Sequence, residues 1–192
     1  AQTVAGVLRG VSADAVFDRN ADAILRTLAC ELGPDRVVIA KYDAPSGRLH
    51  YLRALNRPDA TWNQTVVEKY RERFWDLFLG DLRADRFVHF TNSEDELPLM
   101  HDAFREEPDY PGRSLMAVPV NMKGAFWGML LLAYAHRRPA TVSDERFMRS
   151  MADIIAISVS RDETRRNQEA TTSCLETLVG ENDLVTAEQS RV

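Results

Sequence analysis

Apolar residues repeat at intervals of three and four from Ala21 to Leu32, and this spacing predicts a helix with one buried face. Its apolar members are Ile24, Leu25, Leu28 and Leu32. Gly33 and Pro34 end the helix, because glycine accepts a left-handed conformation and proline does not continue a helix. Residues 36–42 are rich in β-branched side chains and residues 48–55 alternate, so the two segments predict a pair of strands joined as a hairpin.

Helical spacing returns between Trp62 and Leu82, where charged residues occupy the opposite side. The apolar stripe of this stretch contains Val66, Tyr70, Phe74, Leu77 and Phe78. A short apolar segment, 87–90, predicts a third strand. Residues 93–107 then mix apolar and acidic positions and predict a second helical segment, and together these pieces form an excursion between the hairpin and the later strands.

The clearest strands are residues 114–121 and 125–135, which a short turn containing Gly124 connects. The second of them is apolar on both faces, and such a strand is covered on both sides. We therefore expect it near the centre of an antiparallel sheet. The fold class predicted from this order of elements is α+β, with helices on both faces of the sheet.

A long helix follows residues 141–144, whose Thr-Val-Ser-Asp sequence has the spacing of a capping box. Neither proline nor glycine interrupts the pattern from about Ser143 past Arg166. One heptad frame contains apolar residues at its two ends, namely Phe147, Ile154, Ile157, Leu175, Leu178 and Val185. The positions between these ends are polar, as in a loosely packed coiled coil: Arg161, Thr164, Gln168 and Thr171.

The long helix predicts a homodimer, because an isolated polar helix of this length is marginal in water. Residues near the N-terminus have helical spacing and would add a second helix to the same seam: Val4, Val7, Leu8 and Val11. We expect three parts in the chain: an N-terminal helical lead-in at residues 1–16, a folded domain at 17–161, and a connector helix at 162–192.

The composition is that of an ordinary globular protein. The chain has 192 residues, of which 45% are hydrophobic and 28% charged, as in ordinary globular proteins. A net charge of −5 argues against nucleic-acid binding. The longest apolar run, 128–135, is too short to insert into a membrane, and no secretory signal opens the chain. Two widely spaced cysteines, Cys30 and Cys174, favour a cytoplasmic location, with Cys30 expected to be buried in its helix.

The sequence resembles the GAF domain family in the segment from Val118 to Leu131. It contains an apolar-Pro-apolar strand centred on Pro119, a turn at Gly124, and a strand in which Gly128 and aliphatic residues follow Trp127. The resemblance extends over about residues 17–161, and it implies that this part is a sensory domain whose connector helix at 162–192 leads toward an output domain. It implies a sensory or regulatory module of a signal-transduction protein such as a sensor histidine kinase in a two-component system, one that binds a small molecule, forms dimers, or does both. A PAS-type sensor is the alternative fold.

The same resemblance places a ligand pocket between the sheet and the excursion. Candidate lining residues are Phe74, Phe78, His89, His101 and Trp127. Residues 94–109 carry seven acids and one arginine, and a lid of that charge would disfavour an anionic ligand. The sequence predicts no particular cofactor and no metal site, since no histidine pair has ligand spacing on one helix.

No nucleophile, nucleotide or metalloenzyme motif is present, so we expect a non-catalytic domain. GAF domains that attach bilins covalently carry a cysteine beside a histidine on the ligand side, and residues 62–111 contain no cysteine. Two alternatives stay open. One is a small enzyme of the free methionine sulfoxide reductase type, which would need a pair of thiols near the pocket. The other is a dimerisation spacer without a ligand.

Overall fold

The computed structural model describes residues 17–58, 78–91 and 114–189. Its elements are helix α1 (Phe17–Leu32), strands β1 (Arg36–Asp43), β2 (Arg48–Asn56), β3 (Val88–Thr91), β4 (Ser114–Met122) and β5 (Ala125–Tyr134), and helix α2 (Val142–Gln189). Residues 78–83 are also helical. The predicted lead-in 1–16 and most of the excursion lie outside the described residues.

Within the described ranges, the strands form one sheet in the order β2-β1-β5-β4-β3. All neighbouring strands are antiparallel, and β1 and β2 form the predicted hairpin. The middle strand is β5, whose last seven residues are all buried. This confirms the position predicted from its continuous apolar sequence, because only a strand covered on both faces buries every side chain.

The two faces of the sheet carry separate apolar clusters. The helix face packs against α1 and α2, and its sheet residues are Val37, Ile39, Met116, Val118, Val120, Leu130, Leu132 and Tyr134. We call the opposite side the Phe78 face, because Phe78 and Leu82 of the helical residues 78–83 pack on it. Its buried sheet residues are Val38, Ala40, Leu49, Val88, Phe90, Ala117, Met129, Leu131 and Ala133. Helices therefore contact both faces, which confirms the predicted fold class.

Gly128 allows β5 to approach β1 more closely than any other residue would. A Cβ atom at this position would lie 2.1 Å from the carbonyl oxygen of Ala40 and 3.0 Å from the Cα of Lys41. Both atoms belong to the backbone and cannot rotate away. Glycine is therefore required here, because it alone has no Cβ atom.

A bulge lies next to Gly128. Val120 pairs with Gly128, but the next residue of β4, Asn121, pairs with Phe126, so Trp127 is an extra residue in β5. A bulge changes which face the following side chains occupy. Phe126 accordingly packs with the Phe78 face, and Trp127 packs with the helix face.

The turn between β4 and β5 requires two left-handed residues. Lys123 has φ of 51° and Gly124 has φ of 78°, and Met122 pairs with Ala125 across them. Positive φ at both central residues is typical of a two-residue hairpin turn. Gly124 thus has the left-handed conformation that glycine adopts without steric cost.

The first turn of α2 is capped as its sequence predicts. The backbone N–H of Asp144 donates to Oγ1 of Thr141 at 3.1 Å, and the N–H of Thr141 donates to Oδ2 of Asp144 at 2.9 Å. This reciprocal pair is a capping box. The helix then continues for 48 residues. At residue 161 and from 163 to 173 every side chain is exposed, so this part of α2 extends beyond the packed sheet.

Candidate functional site

The Phe78 face is the candidate ligand surface. Phe78 is 6% exposed and packs with Leu82 over the sheet, in one apolar cluster with Val88 and Phe90 of β3. Of the nine buried sheet side chains on this face, three are alanines, namely Ala40, Ala117 and Ala133. The buried sheet residues of the helix face are larger, namely Val, Ile, Leu, Met and Tyr. The Phe78 face is therefore apolar and built in part from small side chains, as the walls of ligand sites often are.

The predicted pocket residues do not all meet on this face. Phe78 lies on it, and Trp127 lies on the helix face, where its ring forms an edge contact with Phe17 at 6.3 Å. Simple alternation along β5 would have placed Trp127 with Met129, and the bulge at Trp127 is the reason for the difference. The structure therefore does not bring Trp127 together with Phe78. Phe74 and His101 lie outside the described residues.

His89 is exposed on β3 and contacts the loop that leads into α2. Its Nε2 lies 3.3 Å from the carbonyl oxygen of Arg138 and 3.2 Å from the backbone nitrogen of Ala140, whose N–H donates to it. The imidazole also stacks on Phe87, with 6.4 Å between the ring centroids. Phe87 packs with the helix face, so in this structure His89 joins the edge strand to the start of α2.

A second contact joins the Phe78 side to α2. Asp85 follows the helical residues 78–83 and has a positive φ of 58°. Its Oδ1 lies 3.4 Å from Nη1 of Arg149, and its backbone oxygen accepts a hydrogen bond from Nη2 of Arg149 at 3.1 Å. Asn121 also donates to Oδ1 of Asp85 at 2.8 Å. The sequence contains no signal for this link, because its partners are 64 residues apart.

Arg138 anchors the loop before α2 to the helix itself. Its guanidinium donates to Asp144 at 2.9 Å and lies 4.9 Å from the centre of the Tyr134 ring. Burial raises the pKa of Tyr134 to about 12, although Arg138 opposes this shift. Burial alone would also raise the pKa of Asp144, but hydrogen bonds from Arg138 and Thr141 outweigh it and hold that pKa below 3.8. Asp144 is therefore ionised at neutral pH.

Thiols and metal ligands contribute nothing to this surface within the described part of the chain. Cys30 is exposed on α1 rather than buried as predicted, because it lies on the side of the helix away from Leu25 and Leu28. The described ranges contain no group of three or more side chains that could hold a metal ion. None of the helices described is both long and apolar enough to cross a membrane.

Comparison with known proteins agrees with this geometry. The family model of the GAF domain matches residues 16–159. A GAF domain of Synechocystis sp., solved in its photoproduct state, has a TM-score of 0.62 at 14% identity and covers 79% of this chain and 98% of its own. A domain from Sinorhizobium meliloti, described as part of a two-component sensor histidine kinase protein, has a TM-score of 0.58 at 14% identity, with coverages of 81% and 99%.

A third similar structure is the phycocyanobilin-bound GAF domain of a cyanobacterial phytochrome, with a TM-score of 0.62 at 12% identity and coverages of 86% and 98%. No curated protein sequence matches the chain. At such low identities the solved structures establish the fold, and the family model establishes the family. Since that model matches most of the chain, this protein belongs to the GAF domain family.

Proposed function

We propose that this chain is a non-catalytic sensory domain of a cytoplasmic signal-transduction protein, such as a sensor histidine kinase of a two-component system. It binds a small molecule on the Phe78 face and transmits the bound state through α2. The observation that carries the proposal is the link between Asp85 and Arg149. This link ties the segment that covers the Phe78 face to the second turn of a helix that extends beyond the domain.

The ligand side of the proposal is supported by the chemistry of the Phe78 face. The face is apolar and includes three alanines, and Phe78 and Phe90 would provide aromatic walls for a planar apolar molecule. One of the similar GAF domains was solved with phycocyanobilin bound. We propose Phe78 as a ligand contact, with Phe74 and His101 as further candidates from the sequence.

The output side of the proposal is a parallel homodimer through α2. Ile157 is 49% exposed although it is a large apolar residue, and it occupies the predicted heptad frame. The next frame positions, Arg161, Thr164, Gln168 and Thr171, are exposed and polar. A helix pair with an apolar start and polar middle positions does not strongly favour one packing. Two packings of similar energy would then be available, and a ligand could shift the population from one to the other.

Sedimentation equilibrium of the whole chain tests the dimer. We expect the protein to be dimeric at micromolar concentrations and Ile157→Glu to weaken the dimer at least tenfold, because a charge would be buried in the seam. Val142→Glu is the matched control: Val142 is 67% exposed on the same helix but lies outside the heptad frame. A monomeric wild-type protein, or equal effects of both substitutions, would contradict the proposed seam.

An assay with free methionine sulfoxide and a thiol reductant tests the non-catalytic part of the proposal. Cys30 is exposed on α1, and α1 packs on the helix face, so this thiol is remote from Phe78. We expect no turnover. Turnover that Cys30→Ser abolishes would instead indicate the reductase alternative.

A further inference from the structure

The Phe78 face contains a buried cation. Arg36 is the first residue of β1 and is only 5% exposed. Side chains alternate along a strand, so Arg36 lies on the same face as Val38 and Ala40. Its guanidinium carbon lies 5.5 Å from the centre of the Tyr51 ring, and Tyr51 packs with that face. The positive charge therefore lies within the candidate ligand surface.

The guanidinium of Arg36 is incompletely paired within the described ranges. Its Nε is buried and has no hydrogen-bond partner, and the contact with the Tyr51 ring does not replace a hydrogen bond. The adjacent acid, Asp35, is already engaged: it pairs with Arg57 at 2.9 Å and accepts the N–H of Ala135 at 2.6 Å. A buried charge without a partner costs free energy, so its presence in a ligand surface calls for an opposite charge.

We propose that Arg36 is the anchor for a negatively charged group of the ligand, specifically the carboxylate of a monoanionic organic acid with an apolar body. The planar guanidinium matches a carboxylate and donates to it in pairs. The residue that pairs with Arg36 in β5 is Ala133, whose side chain is small and uncharged. A monoanion fits better than a phosphate dianion, because one cation then balances one charge in apolar surroundings.

This inference rests on the proposed ligand-binding function and specifies its chemistry. The alternative partner for Arg36 is a carboxylate of the chain itself, from the acid-rich segment 94–109, which could form the same ion pair as a ligand. The two cases differ in the behaviour of Arg36→Met without any ligand. If Arg36 awaits a ligand, removing an unpaired buried charge does not lower the melting temperature. If Arg36 is paired with an acid of the chain, the same substitution leaves that acid without a partner and lowers the melting temperature.

Two fluorescent probes of similar shape test the anchor. 1-Anilinonaphthalene-8-sulfonate carries one negative charge, and N-phenyl-1-naphthylamine is its neutral counterpart. We expect Arg36→Met to weaken binding of the charged probe about tenfold and to change binding of the neutral probe less than about twofold. The matched control is Arg48→Met on the same hairpin, whose exposed side chain should leave both affinities unchanged. Circular dichroism establishes that each variant is folded.

The outcomes separate the two hypotheses. Selective loss of the charged probe, with no fall in melting temperature, supports the anchor. Unchanged affinity for the charged probe, or a lowered melting temperature in Arg36→Met, overturns the anchor and leaves a pocket for neutral ligands. Failure of both probes to bind the wild-type chain overturns ligand binding on this face altogether. Should Arg36→Met not fold, Arg36→Lys keeps the charge without the planar fork, and the charged probe should then bind several-fold more weakly; equal binding overturns the anchor.

Discussion

Asp85 and Arg149 are joined both through the carboxylate and through the backbone oxygen of Asp85, at 3.4 Å and 3.1 Å from the guanidinium. Asp85 belongs to the turn that follows the helical residues 78–83, and Arg149 belongs to α2. Glu145 holds the same guanidinium from the other side, accepting from Nε at 2.9 Å. A displacement of the segment that carries Phe78 would therefore pull directly on the beginning of α2.

Arg149→Met should loosen this turn without unfolding the domain. Exposed ion pairs stabilise proteins by about 1 kcal/mol or less, so the free energy of unfolding should change little. The backbone N–H groups of Ala84, Asp85 and Arg86 donate within the turn, and their hydrogen exchange should accelerate several-fold. Arg146→Met, at an exposed position of the same helix, should leave this exchange unchanged. Equal exchange rates in both variants would show that Arg149 does not hold the turn.

Gly128→Ala should destabilise the domain strongly. The new Cβ would lie 2.1 Å from the backbone oxygen of Ala40, so β1 and β5 would have to separate, at a cost of roughly 3 kcal/mol. Gly80→Ala is the matched control, because nothing lies within 4 Å of its Cβ position and alanine favours a helix by about 0.5–1 kcal/mol. Urea unfolding measures both. A small effect of Gly128→Ala would contradict the close approach of the two strands.

Asp144→Asn should lower the free energy of unfolding by about 1–2 kcal/mol at neutral pH, because it weakens the capping box and the ion pair with Arg138. The pKa of Asp144 is lower in the folded state than its ordinary value of 3.8. Its contribution is therefore complete above 3.8 and is lost as the pH falls through the folded pKa. Urea unfolding at decreasing pH should show wild type and variant converging in the acid range. A constant difference would show that the charge of Asp144 is not involved.

Phe78→Leu and Trp127→Leu should affect ligand binding differently, because the two side chains lie on opposite faces of the sheet. We expect Phe78→Leu to weaken binding of N-phenyl-1-naphthylamine several-fold, through loss of an aromatic contact. Trp127→Leu should leave that affinity unchanged within about twofold, although it removes the edge contact with Phe17. The reverse result would place the ligand on the helix face.

The local sequence was sufficient wherever a feature depends on neighbouring residues. Thr141 and Asp144 form their capping box within one helical turn, and Gly124 adopts the positive φ that its turn requires. The central position of β5 was also predictable, since its continuous apolar run has to be covered on both faces. These features depend on the spacing of residue types along the chain and on the conformational preferences of single residues, and both can be predicted from the sequence.

Tertiary structure decided which residues meet. Alternation predicts that Trp127 shares a face with Met129, and a single bulged residue reverses that assignment, because side chains on a strand repeat every two positions. His89 was predicted to contact a ligand, and its imidazole instead contacts the loop before α2. The missing hydrogen-bond partner of Arg36 could not be predicted from the sequence either, because the neighbours of a strand residue depend on the register of the adjacent strands. Local preferences therefore determined the elements, and long-range register determined the candidate site.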